Sequence, residues 1–296
     1  MHRIVVFGSL NIDTVYSVDH IVRPGETISS YSVMKNPGGK GLNQASAIAR
    51  TGLPVFMAGK IGKDGEMLCS VLSSFSVDTS LISVDQNGAT GNAMIQVSKE
   101  GENSIVLFSG TNGMIDEEYI DYVLSHFDEG DVLVLQNEIN MLSSIIGKAR
   151  ARGMYIVFNP APFDSSVLSL PLSSVDLLVV NEIEGAGLSG VESLDHKTVM
   201  EELERRFGES EIIMTMGKEG AMYCGKGERH YVPAKAVEAV DTTAAGDTFI
   251  GYYIASREKG FSVPEALEYA TKASAITVSR KGAAISVPEG WEVYGK

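Results

Sequence analysis

Residues 241–251 read Asp-Thr-Thr-Ala-Ala-Gly-Asp-Thr-Phe-Ile-Gly, and they carry the most specific chemistry in the chain. The pattern is a strand end, a turn of small residues, then a helix. Ala244, Ala245 and Gly246 have almost no side chain, so their N–H groups can approach a ligand closely. At a helix N-terminus the unpaired donors and the macrodipole attract an anion. One carboxylate, Asp247, sits inside that turn. An Asp at this position also serves simply to complement the dipole, and taken alone the residue allows both roles. A second acid at Asp241 and the small-residue gap between the two favour phosphoryl transfer with Asp247 as base. The chain has no Walker loop, because neither 39–41 nor 59–61 extends to GxxxxGK and a hydroxyl residue. Phosphate binding therefore falls to the 244–247 turn.

The 241–247 stretch closely resembles the DTxxAGD signature of the ribokinase-like (PfkB) sugar kinases. Three further stretches agree in order and spacing. Residues 8–13 (GSLNID) resemble the family's first strand and sugar turn. Residues 38–45 (GGKGLNQA) resemble its GGKGxNxA motif, and residues 279–283 with Ser286 and Pro288 resemble its monovalent-cation loop. The resemblance runs from Gly8 to Pro288. It implies a three-layer α/β/α fold with a mostly parallel central sheet and a small β-sheet lid, in one domain over 1–296.

The same resemblance assigns roles. Asn11, Asp13, Gly39, Lys40, Asn43, Glu138 and Asp247 would hold the sugar. Asn181, Thr215, Gly217, Gly220, Gly246 and Thr271 would hold ATP. Glu184 would act on Mg²⁺ through water, since Mg²⁺ keeps much of its hydration shell. Asp241, Thr243, Thr277, Arg280, Gly282 and Ser286, mostly through main-chain carbonyls, would hold K⁺. Local readings stay open beside these. The 38–40 turn could be a plain helix start, Glu138 a solvated acid, 215–220 an ordinary hairpin turn, and Asn181 an N-cap. The implied reaction is transfer from ATP to a sugar's primary hydroxyl, with D-ribose giving ribose 5-phosphate as first expectation. Residues 159–162 and 280–283 resemble the ribose-phosphorylating branch. Leu42, where that branch usually has Ala, and the pair Asn92 and Ala93 depart from it. Deoxyribose, fructose and nucleosides stay open as acceptors, as does a sensor without catalysis. A Rossmann dehydrogenase is excluded by the absence of GxGxxG after the first strand.

The elements that must position these residues follow from periodicity. Nearly continuous apolar runs at 4–7, 55–58, 132–135, 155–158, 177–180 and 211–216 predict parallel strands buried on both faces. Helical spacing predicts helices at 40–50, 117–124, 142–150, 197–207, 246–259 and 264–279. Alternation of the two implies a parallel sheet with helices on both sides and ligands at the strands' carboxyl ends. Strand pairs at 14–19 with 27–34, and 91–97 with 104–108, fall outside the alternation and predict the lid, within 14–36 and 91–108. By resemblance the lid is also a dimer surface.

The chain has 296 residues, 44% hydrophobic, and a net charge of −14. That charge opposes nucleic acid or anionic membrane as main partners. Its two cysteines, Cys69 and Cys224, lie in apolar surroundings and read as reduced core residues. The first apolar run is too short for a signal segment, and no run is long enough to span a bilayer. A cytoplasmic enzyme is expected.

Overall fold

The computed structural model describes residues 2–192 and 195–295. Its strands are β1 (Ile4–Phe7), β2 (Asn11–Ser17), β3 (Ser32–Gly38), β4 (Phe56–Gly62), β5 (Asp78–Asp85), β6 (Gly91–Val97) and β7 (Asn103–Phe108). They continue with β8 (Val132–Gln136), β9 (Tyr155–Asn159), β10 (Leu177–Asn181), β11 (Glu211–Thr215), β12 (Ala221–Gly225) and β13 (Glu228–Val232). The helices are α1 (Lys40–Arg50), α2 (Glu66–Ser74), α3 (Glu117–Leu124), α4 (Leu142–Ala151) and α5 (Glu182–Ser189). After them come α6 (His196–Phe207), α7 (Ala245–Glu258), α8 (Val263–Val278) and α9 (Gly290–Tyr294).

Nine strands form the main sheet in the order β13-β12-β11-β10-β9-β8-β1-β4-β5. All neighbours from β11 to β5 are parallel, and β12 and β13 close the far edge antiparallel. The apolar runs make this sheet because both of its faces are covered. Ile4 and Val6 enter the core beneath α1, α7 and α8, while Val5 and Phe7 enter the one beneath α3, α4 and α6. That alternation is the period of a strand buried on both sides. β1 lies between β4 and β8, so the winding direction reverses there. Ligands on such sheets bind at the carboxyl ends beside the reversal.

Four strands form a second sheet in the order β3-β2-β6-β7. This is the small separate sheet expected to serve as a lid, with one correction to its strands. The strand expected at 27–34 is observed at Ser32–Gly38, so it runs through Pro37 rather than stopping at it. β3 is an edge strand paired only to β2, where a residue without an N–H is tolerated. Strand β5 was not anticipated; its exposed positions blur the apolar run that marks its neighbours. Both cysteines are free, Cys224 buried and Cys69 half-buried. Among the described residues no helix is long and apolar enough to cross a membrane.

Candidate active site

The glycines before and within α1 bring that helix down onto the end of β1. Gly39 has φ +93°, a backbone region that side chains rarely adopt. A Cβ on Gly41 would lie 2.6 Å from the Ser9 nitrogen, so only glycine permits this approach. The N-terminus of α1 then faces Glu138, which follows β8. Glu138 Oε2 accepts from the Lys40 N–H at 3.0 Å and from the Ser9 hydroxyl. Glu138 is therefore half-buried and tied to the helix, unlike a solvated acid.

Asn11 and Asp13 alternate on β2 and share one face of the lid's root. Asn11 Oδ1 accepts from Asn112 Nδ2 at 2.7 Å. Burial, with the charge of Glu138 second, pushes the Asp13 carboxyl up to about 7. Gly38 leaves the space that this carboxylate fills, since a Cβ there would lie 2.1 Å from Asp13 Oδ2.

Ala244, at φ +60°, turns the chain into α7, whose first turn holds Gly246 and Asp247. A left-handed alanine is a strained start for a helix. The Ala245 N–H already donates to Thr242 O at 3.3 Å, so Gly246 and Asp247 carry the more available donors of the turn. The Asp247 side chain points to α1, and it is only 6% exposed. Its Oδ2 accepts from Asn43 Nδ2 and its Oδ1 from Gln44 Nε2, each at 2.9 Å.

The charges converge. The Asp247 carboxylate raises the affinity of Lys40 for its proton, burial opposes this, and Glu138 and Glu184 add to it. Glu184 is held above the usual carboxylate range mainly by burial. The Asn181 N–H and Lys40 pull it down, while the charge of Asp247 pushes it up. Three acids, Glu138, Glu184 and Asp247, thus meet one lysine, with Asp13 beside Glu138. A polyphosphate enters such a site only with added positive charge, and the oxygen donors suit a hard divalent cation. Among the described residues no three His, Cys, Asp or Glu side chains are grouped to cage a metal.

Behind Gly246 a pocket of about 570 Å³ opens between the 215–220 turn, the 234–242 segment, α7 and α8. Thr215, Gly217, Gly220, Gly246 and Thr271 line it, with Lys218 and Lys235. Thr271 Oγ1 is buried and, among the described residues, has no partner. A hydroxyl left waiting in a nucleotide-sized pocket fits a ligand with hydrogen-bonding edges. The 215–220 segment is indeed the turn of the β11–β12 hairpin, and that turn also forms a wall of the pocket. Asn181 is not among the residues that line this pocket. It caps α5 in a reciprocal box with Glu184, and the box holds the Glu184 carboxylate in place.

The residues expected around K⁺ come together in part. Asp241 bridges two segments, accepting from the N–H of Thr243 at 2.9 Å and of Gly282 at 3.0 Å. Ser286 Oγ donates to Ala283 O at 2.7 Å. The Thr277 hydroxyl instead meets Thr248, and the Arg280 guanidinium pairs with Glu292. The guanidinium has no lone pair for a cation, so Arg280 has only its main-chain carbonyl to offer. Sequence reasoning missed Gln44, Gln136, Asn112 and Asn159. Gln44 stood inside the 38–45 motif and Asn159 inside the 159–162 stretch, Gln136 ends the buried strand β8, and Asn112 lies within the 110–113 turn.

A three-layer sheet with a lid, a half-buried acidic cleft and an adjoining nucleotide-sized pocket define a kinase of small hydroxylated substrates. The chain belongs to the pfkB family of carbohydrate kinases, whose model matches residues 1–290. It is 35% identical to a ribokinase of Haemophilus influenzae over 292 residues, 96% of this chain and 95% of that one. It is 37% identical to a ribokinase of Schizosaccharomyces pombe, covering 100% of this chain and 98% of that one. Among solved structures it resembles the Cryptococcus neoformans ribokinase in complex with ADP, with TM-score 0.87 and 35% identity, covering 100% and 99% of the two chains. The Arabidopsis thaliana ribokinase complexed with ribose and ATP gives TM-score 0.89 at 26% identity, covering 100% and 98%.

Proposed function

We propose that the chain transfers the γ-phosphoryl group of ATP to the primary hydroxyl of D-ribose, giving ribose 5-phosphate. One observation carries the mechanism. Asp247 lies on the turn shared by the nucleotide pocket and the acidic cleft, with its carboxylate held by α1. In that geometry Asp247 takes the proton of the attacking hydroxyl. The N–H groups of Gly246 and Asp247 receive the charge developing on the transferred group. Lys40, among three acids, supplies positive charge on the same side. Asn11, Asp13, Asn43 and Glu138 accept and donate to the sugar's other hydroxyls. Thr215, Gly217, Gly220, Asn181 and Thr271 hold the nucleotide. Bound through Glu184 and water, Mg²⁺ would neutralise phosphate charge. K⁺ near Asp241, Thr243, Gly282 and Ser286 would brace the turn that carries the anion site. The lid closes over the sugar and excludes water, which would otherwise accept the phosphoryl group. It also joins two copies into a homodimer. The reduced thiols suit a cytoplasmic enzyme.

The relatives' names support ribose, and one supports a second acceptor. A deoxyribokinase of Salmonella typhimurium is 31% identical over 295 residues. The two sugars differ by one hydroxyl, which a cleft built to hydrogen-bond it distinguishes. The test is ATP-dependent phosphorylation of ribose, deoxyribose, fructose and nucleosides with Mg²⁺, with and without K⁺, read by product mass. Ribose phosphate as the dominant product, increased by K⁺, is expected. Dominant phosphorylation of another acceptor would overturn the substrate, and no product from any acceptor would overturn the reaction.

A further inference from the structure

Every amide that feeds Asp247 points its N–H toward the carboxylate, at a visible cost. Asn43 Nδ2 donates to Oδ2 and Gln44 Nε2 donates to Oδ1. Gln44 Oε1 in turn accepts from Gln136 Nε2 at 2.7 Å. Gln136, at the end of β8, is fully buried, and Gln44 is too. The outer ends of both chains are unpaired: among the described residues, Asn43 Oδ1 and Gln136 Oε1 are buried without partners. A buried acceptor left without a donor is destabilising. Reversing both amides would let Gln44 Nε2 donate to Gln136 Oε1, but it would leave the Gln136 NH₂ without an acceptor. The same reversal would set the Gln44 oxygen against the Asp247 carboxylate.

From this we infer that Gln136 and Gln44 form a directional relay that positions Asp247 as a proton acceptor. The inference rests on Asp247 being the base. Gln136 fixes which way the Gln44 amide faces, and Gln44 fixes one carboxylate oxygen. Asn43 holds the other oxygen, so the lone pairs left over point at the sugar hydroxyl. Once Asp247 holds the substrate's proton, its O–H can donate to the oxygen of a reversed Gln44 amide, whose NH₂ then faces the oxygen of a reversed Gln136. The relay thus has one orientation for each state of the carboxyl group. No bond to the substrate is needed from either glutamine, so both are positioning residues.

The full chain is assayed with ATP and ribose in four forms: Gln44→Met, Gln136→Met, Gln136→Glu and Asp247→Asn. Gln44→Met nearly conserves volume and removes the donor, and we expect kcat to fall ~10–100-fold with both KM values little changed. Gln136→Met should cost less, since Gln44 then chooses its own orientation. Gln136→Glu carries the signature of direction. Its ionised carboxylate attracts the Gln44 N–H and reverses the relay, whereas its protonated form donates as the amide did. Its kcat relative to the wild type should therefore rise as pH falls, and the Gln136→Met ratio should stay flat. Thermal melts show whether each variant is folded at the assay temperature. Wild-type kcat in Gln44→Met, or losses in all glutamine variants that follow the melts without a pH signature, would overturn the relay. Asp247→Asn tests the reading beneath it, since turnover in that variant would remove the base itself.

Discussion

At the scale of single residues, what sets this site apart is that its charges are mismatched on purpose. Asp13 is the clearest case. Burial raises its carboxyl to about 7, with the charge of Glu138 adding to the shift. A sugar hydroxyl donates best to an ionised carboxylate. The KM for ribose is therefore expected to fall as pH rises from 6 to 8, with that dependence absent in Asp13→Asn. A pH-independent KM in the wild type would refute it. Stability runs the other way. The folded state holds the Asp13 proton between the ordinary carboxylate range, 3.8, and about 7, where the unfolded chain has lost it. The folded state binds more protons in that window, so stability falls as pH rises through it and levels off above 7. Asp13→Asn should flatten this part of the melting-temperature profile. Better sugar binding at higher pH and a less stable free protein are two faces of one buried carboxyl.

At the scale of elements, the site depends on how closely α7 lies against α1, because the two helices hold opposite ends of the Asp247 contacts. Gly251, one turn after Asp247 on α7, makes that approach possible. A Cβ there would lie 2.5 Å from the Ala47 Cβ and 3.1 Å from the Gln44 carbonyl oxygen. Gly251→Ala should push the helices apart, lowering stability by about 1–3 kcal/mol. It should also lower kcat with ATP binding retained, because Asn43 and Gln44 move with α1. Thermal unfolding, steady-state kinetics and nucleotide titration measure the three effects, and an unchanged kcat would show that the spacing is not what orients Asp247. This helix pair was partly legible in the sequence. Helical spacing at 40–50 and 246–259 and the motif at 241–247 predicted α1, α7 and the turn before α7. The partner of each side chain was not legible, because Gln44 and Gln136 lie 92 positions apart and meet only when α1 packs across β8. The lid showed the same limit. Alternation predicted its strands, but the start of β3 is set by pairing with β2, which extends to Gly38 because the edge tolerates Pro37. The 215–220 turn was readable as a hairpin and as a nucleotide wall, and tertiary packing makes it a hairpin turn that also walls a pocket.

At the scale of the whole molecule, the lid is a sheet without a core of its own. Register aligns Asp13 with Ala93 and Ala93 with Leu107. It also aligns Val15 with Met34 and Ile95, and Ile95 with Ile105. The face that begins with Asp13 in the acidic cleft thus continues outward as Val15, Met34, Ile95, Ile105 and Leu107. The opposite face mixes Thr14, Lys35, Gln96 and Ser104 with Met94, Val106 and Phe108. Met34, Ile105 and Leu107 are each more than half exposed. An apolar row of this kind, continuous with a binding cleft, is the usual mark of an interface. The proposed homodimer uses this face, so that one sheet closes the cleft at its root and meets a second copy beyond it. The expected species in light scattering has twice the mass of the chain. Ile105→Glu should bury a charge in the contact and give a monomer with a raised KM for the sugar, because the lid loses its support. Val106→Glu, one residue along the same strand but on the other face, should leave the dimer intact. Dissociation by Val106→Glu and not by Ile105→Glu would assign the contact to the opposite face. A wild-type monomer at assay concentrations would leave the lid to close over the sugar alone.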